Sequence, residues 1–207
     1  MRLTIEPGVK VKMQFNTGGY IDNGGELVAT SATLMGSTRR GWNDGERKDL
    51  LRLQDNSSTT FTQCRILANE ELNDDERFEV GAAAIWMYDW ANLTLDGCSL
   101  ESLNQTGTPV YRTTYGVRTA PGGTLTIRNG SSFKGFVVGI LWTVNTDLAQ
   151  VSPDTSFENC SFWNGLVSTG GIQNQSVTVN GLPVKVCVST LSQTAGTLRM
   201  VGCTVLA

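Results

Sequence analysis

The chain has 207 residues, a net charge of −3 and no histidine. This is enough for one domain with a real core, and with no basic block a nucleic-acid surface is not expected. No apolar run is long enough to span a membrane, and the lack of imidazole removes His-based nucleophile triads and the commonest general base near neutral pH.

Charged residues make up 17% of the chain and glycines number 23. Together with many Ser, Thr and Asn residues, that balance suits a β protein. Leu3 to Met13 alternates apolar and polar residues about Pro7-Gly8, which reads strand, turn, strand. No signal-peptide pattern precedes it, and the expectation is a domain excised from a longer chain. Tyr20-Ile21, a Gly24-Gly25 turn and Glu26 to Ala29 follow. Residues 37–49 are polar and read as a loop; Leu50 to Leu53 and Thr60 to Thr62 resume strand. Asn69 to Arg77 is acidic, and Asp74, Asp75 and Glu76 are the weak candidates for a hard cation. Their spacing lacks the pattern of a calcium loop, so a solvated loop is expected, with no metal and no cofactor.

Residues 82–95 read as strand. In this stretch Trp86, Tyr88 and Trp90 alternate with Met87 and Asp89, which places the three rings on one face and Ile85 and Met87 toward the core. Left open, such a face stacks sugar rings; alternatively the acidic loop or another extension covers it. Trp142 and Trp163 lie on neighbouring coils and are further candidates for the same strip. Tyr111 to Arg118 and Gly122 to Ile127 form another coil, and Phe136 to Val144 is an apolar run of buried type. Residues 177–189 read as an inserted hairpin about Asn180-Gly181. The chain ends in strand pattern with no polar cap, from which we expect continuation or end-to-end association at the C-terminal coil.

One phrase recurs: apolar, free, turn residue, small residue, free, apolar. It appears at Phe61 to Ile66, Leu95 to Leu100, Phe157 to Phe162 and Met200 to Val205, with one residue inserted at Val28 to Leu34 and Ile127 to Phe133. Gln63, Gly97, Asn129, Asn159 and Gly202 fill the turn slot, where Gly and Asn accept a left-handed backbone cheaply. The small slot holds Ser31, Cys64, Cys98, Gly130, Cys160 and Cys203, at intervals of 33, 34, 32, 30 and 43. A variable period with a constant corner predicts a β solenoid, each phrase marking the same edge of successive coils. Four of the five cysteines share that phase, so they are expected to stack inward as small hydrophobes and not to form disulfides. There is no CxxC pair for zinc.

Three runs, LTIEPGVKVKM, GGYIDNGGELVAT and ATLMGSTRRGW, resemble the opening of bacterial right-handed parallel β-helix surface proteins, and Phe157 to Gly165 fits the same family. The resemblance implies a single-stranded right-handed parallel β-helix with irregular loops, in an extracellular or cell-surface setting. It carries no shared catalytic motif. Two functions follow as alternatives. The first is a non-catalytic adhesion or structural module whose partner is a polysaccharide or a cell-surface protein, bound through the aromatic strip. The second is a polysaccharide lyase or glycoside hydrolase, for which Asp89, Asp96, Glu101, Arg112 and Arg118 would have to meet on adjacent coils. Thr4, Thr94, Thr126 and Thr155 are candidates for an ice-binding row, but no Thr-x-Thr pair recurs by coil.

Overall fold

A computed structural model of the chain describes residues 1–14, 18–39, 49–71, 82–103, 115–143 and 146–160, with backbone strands beyond. The described residues contain no helix. Rung 1 is β1 (Arg2–Ile5), β2 (Lys10–Lys12) and β3 (Gly19–Ile21), and rung 2 is β4 (Glu26–Thr30), β5 (Thr33–Arg39) and β6 (Leu51–Leu53). Rung 3 is β7 (Ser58–Thr62), β8 (Arg65–Glu71) and β9 (Ala83–Met87); rung 4 is β10 (Asn92–Asp96), β11 (Ser99–Ser102) and β12 (Tyr115–Arg118). Rung 5 is β13 (Thr124–Arg128), β14 (Ser132–Lys134) and β15 (Val138–Thr143); rung 6 is β16 (Asp147–Val151), β17 (Ser156–Glu158) and β18 (Trp163–Thr169). The chain ends with β19 (Gln175–Asn180), β20 (Lys185–Val188), β21 (Gly196–Val201) and β22 (Thr204–Leu206).

Each rung gives one strand to each of three sheets. Wall A runs β1-β4-β7-β10-β13-β16, wall B β2-β5-β8-β11-β14-β17, and wall C β3-β6-β9-β12-β15-β18-β20-β22. Every pair is parallel, so the chain is a parallel β-helix. The core follows from register. Val11, Leu34, Ile66, Leu100, Phe133 and Phe157 form one inward column of wall B, and the Phe133 and Phe157 rings stack at 5.1 Å. Ile5, Ala29, Phe61, Leu95, Ile127 and Val151 form another on wall A. Like side chains one above another pack at the rung spacing of ~4.8 Å, and alternation sends the intervening residues outward.

Backbone torsions explain the corners. Between walls A and B the chain turns on a residue in the left-handed region: Gly8, Ser31, Gln63, Gly97, then Asn129 with Gly130. Gly8, Ser31, Gln63 and Gly97 each donate the N–H to a carbonyl of the next rung: Ser31, Thr62, Asp96 and Arg128 in turn. On rungs 2 to 5 the buried residue that follows the bend is Ala32, Cys64, Cys98 and Ser131, and register puts buried Thr155 at the same place on rung 6. Here the sequence reading is one residue out on two rungs. Ser31 is the bend and Ala32 the inward residue; Gly130 is a second bend residue and Ser131 the inward one.

A larger correction concerns Phe157 to Phe162. Phe157 pairs with Phe133 on wall B, and Gly135 donates its N–H to the Glu158 carbonyl. Asn159 and Cys160 therefore match Gly135 and Phe136, at the edge between walls B and C. Cys160 is buried but does not stack above Cys98, and Cys203 lies outside the described residues. The same chemistry, a left-handed residue followed by an inward one, serves both edges, so the phrase cannot say which edge it builds. The inserted hairpin is also corrected. β19 pairs in parallel with β21, while β20 pairs in parallel with β18 and β22 on wall C. A residue pair such as Asn180-Gly181 favours left-handed torsions, which suit a hairpin turn and a solenoid corner alike.

Candidate functional site

The edge between wall C and wall A carries the exposed aromatic residues. Two tight turns repeat here: Asp22-Asn23-Gly24-Gly25 and Gln54-Asp55-Asn56-Ser57, each with two consecutive left-handed residues and an N–H returned from the fourth residue to the first carbonyl. Rung 3 repeats the turn as Tyr88-Asp89-Trp90-Ala91. The column at its third position reads Gly24, Asn56, Trp90, Gly122. Three of these are residues that tolerate the left-handed region. The fourth is a tryptophan held at φ 63° and 59% exposed. Its indole lies against Gly122 of the next rung, where an added Cβ would come within 2.7 Å of the ring.

The expected strip of three rings on one face is therefore broken. β9 ends at Met87, as Tyr88 begins the turn. Trp86 points out of wall C, since Ile85 and Met87 belong to the core, yet it is 3% exposed. It sits in an outward column of Tyr20, Arg52, Trp86 and Arg118. The Arg52 guanidinium lies 4.3 Å from the Trp86 ring and 5.5 Å from the Tyr20 ring, and Arg118 lies 5.1 Å from Trp86. These are cation–π contacts, and on Trp86 they occupy the faces a ligand would need. Arg52 is fixed further by Asp49 at 3.3 Å, whose other carboxylate oxygen accepts the Ala83 N–H at 2.8 Å. Tyr88 packs edge-on to Trp86 with centroids 4.8 Å apart and keeps an exposed edge. Tyr20 is half exposed on the same wall two rungs away.

Trp142 does not belong to this strip. It points inward, fully buried, and donates its indole N–H to the Thr146 carbonyl at 3.0 Å. In β15 it is Leu141, not Trp142, that shares the outward column of Trp86 and Arg118. The backbone of Trp163 opens β18 one rung on, opposite Val138. Asp74, Asp75, Glu76 and Arg112 lie outside the described residues. No group of three metal-ligating side chains occurs among the described residues.

The proposed carboxylate cluster does not assemble. Asp89 lies in a turn between walls C and A, Asp96 at the end of wall A, Glu101 on wall B and Arg118 on wall C. Asp96 is also committed: Asn129 and Arg128 on the next rung hold it, Arg128 at 2.9 Å, and these contacts lower its carboxyl pKa below the usual range. Glu101 lies 3.8 Å from Arg65. Register aligns three of the threonine candidates, Thr4, Thr94 and Thr126, with Val28 and Thr60 in one row on the outside of wall A. Thr155, in contrast, is buried at a corner. Comparison with known families, curated proteins and solved structures returns no match.

Proposed function

We propose that the chain is a non-catalytic module of a secreted or surface-displayed bacterial protein, and that it binds glycans at the edge between walls C and A. Trp90 and Tyr88 are the stacking surfaces, and Tyr20 extends the contact along the solenoid axis. Trp90 carries the reading. Its position is filled by Gly or Asn on the neighbouring rungs, and a bulky residue in the left-handed region costs ~1–2 kcal/mol. That cost is spent on a ring left 59% exposed. Apolar faces of sugars pack on such rings, and a glycan needs no deep pocket to do so. The separation of Asp89, Asp96 and Glu101 onto different walls supports a binding role over hydrolysis or elimination. The resemblance of the opening coils to surface β-helix proteins supports the extracellular setting.

A glycan array tests the reading. Binding by the native chain that is lost in Trp90→Gly and Tyr88→Ala, with no reducing ends or unsaturated products released, is the expected result. Binding unchanged in both variants refutes it. Turnover abolished by Asp89→Ala or Asp96→Ala would establish the enzyme reading instead.

A further inference from the structure

The corner between walls A and B holds a second site, independent of the glycan edge. Its inward column reads Ala32, Cys64, Cys98, Ser131, so two thiols occupy adjacent rungs with a methyl below and a hydroxyl above. Cys64 and Cys98 are 1% and 2% exposed. The Cys98 sulfur leans back toward the rung of Cys64, 3.3 Å from the Phe61 carbonyl. Register sets Cys98 beside Cys64 on the adjacent rung, since Ser99 pairs with Arg65. The carbonyls of Thr62 and Asp96 also face these sulfurs, at 3.4 and 3.5 Å. The neighbouring Cys98 thiol lowers the Cys64 pKa to about 6, and Cys64 together with burial raises that of Cys98.

We propose that Cys64 and Cys98 form a two-coordinate site for a soft monovalent cation, Cu(I) or Ag(I), held in line between their sulfurs. Side chains in register on adjacent strands stand ~4.8 Å apart, whereas a disulfide draws its Cβ atoms to ~3.8 Å. Two metal–sulfur bonds of ~2.3 Å placed end to end span ~4.6 Å, close to the rung spacing. Thiolates select soft cations. Ala32 and Ser131 offer no third sulfur, and no third metal-ligating side chain joins the pair among the described residues, which disfavours four-coordinate zinc. Binding converts two thiols and one cation into a bis-thiolate complex of charge −1 and releases two protons.

The test uses Ag(I) titration of the full chain under argon, with bound metal counted after desalting and copper X-ray absorption on the Cu(I) form. Cys64→Ala and Cys98→Ser copy the residues one rung below and above, so both should fold. In a chain with Cys160, Cys187 and Cys203 replaced by Ser, one Ag(I) should be retained and raise the unfolding temperature. Either corner substitution should weaken binding by at least ~100-fold, more than the loss of a group that only orients a ligand. Absorption should show two sulfur neighbours and no nitrogen or oxygen ligand. If that triple variant does not fold, the native chain should lose one bound Ag(I) on Cys98→Ser and keep it on Cys160→Ser. Ag(I) retained after loss of Cys64 or Cys98, a third ligand in the absorption spectrum, or a Cys64–Cys98 disulfide in protein purified without reductant would each overturn the proposal.

Discussion

Replacing Trp90 with Gly separates the two roles its ring could have. The indole is 59% exposed, so about two-fifths of its surface is covered. Full burial of a tryptophan removes ~150–250 Å², and the covered part is then ~60–100 Å², worth ~1.5–2.5 kcal/mol at ~25 cal/mol per Å². Against this loss, Gly relieves ~1–2 kcal/mol of left-handed strain, while its looser unfolded chain costs ~0.4–1 kcal/mol. The net is a destabilisation of about 1 kcal/mol, or ~2–4 °C in Tm for a chain of this size. Trp86→Ala, which empties a buried site under two guanidiniums, should cost ~3–5 kcal/mol. Urea unfolding of both variants, followed by circular dichroism, gives the comparison. If Trp90→Gly costs as much as Trp86→Ala, the ring is a structural staple across rungs 3 and 4, and the glycan reading loses its main support.

Gly123→Ala should be far more damaging than its size suggests. The new methyl would stand 2.0 Å from the Ala91 carbonyl oxygen at φ 72°, so rungs 3 and 4 could not stack; a loss above ~4 kcal/mol or insoluble expression is expected. Asp49→Ala leaves the Ala83 N–H without its acceptor and Arg52 without its carboxylate, and should cost ~2–3 kcal/mol by chemical denaturation, against well under ~1 kcal/mol for a surface ion pair such as Arg2–Glu26. The lowered Asp96 pKa makes its contribution fully present above pH 3.8 and lost as pH falls through the folded value; Asp96→Asn should flatten that part of the acid-unfolding curve. For the thiol pair, Cys64 ionises near pH 6 when folded and near 9.0 when unfolded, so stability should rise with pH between those values. Above pH 9.0 the unfolded chain ionises both thiols and the folded chain only one, so stability should then fall. Cys98→Ala should remove the fall above pH 9.0 and weaken the rise below it.

The sequence disclosed the solenoid because its corners are chemically repetitive. Gln63, Gly97 and Asn129 announce left-handed bends, and Cys64 and Cys98 announce the crowded position after each. It did not disclose which edge a bend builds. Asn159-Cys160 looks like Gly97-Cys98 because both obey the same local rule, and only pairing with β14 assigns it to the other edge. The single strip of rings breaks up for a related reason. Alternation was carried three residues past Met87, where an Asp-Trp pair takes up the turn that Asn23-Gly24 and Asp55-Asn56 make on earlier rungs. Trp142 lies in the apolar run Phe136 to Val144, where no alternation marks the phase, which is inward. Arg52 and Arg118 went unrecognised as partners of Trp86 because they are 34 and 32 residues away in sequence and adjacent only through register.

The distribution of chain length around the coil has a further consequence. The passages from wall A to wall B and from wall C to wall A are short and nearly constant on rungs 2 to 4, whereas all the surplus falls between walls B and C, after β5, β8 and β11. Growth and trimming are thus confined to one seam, where a new segment can be spliced in without disturbing the alignment of a single wall column. A lineage, or an engineer, can lengthen or shorten the chain at that seam on three successive storeys while every wall keeps its register.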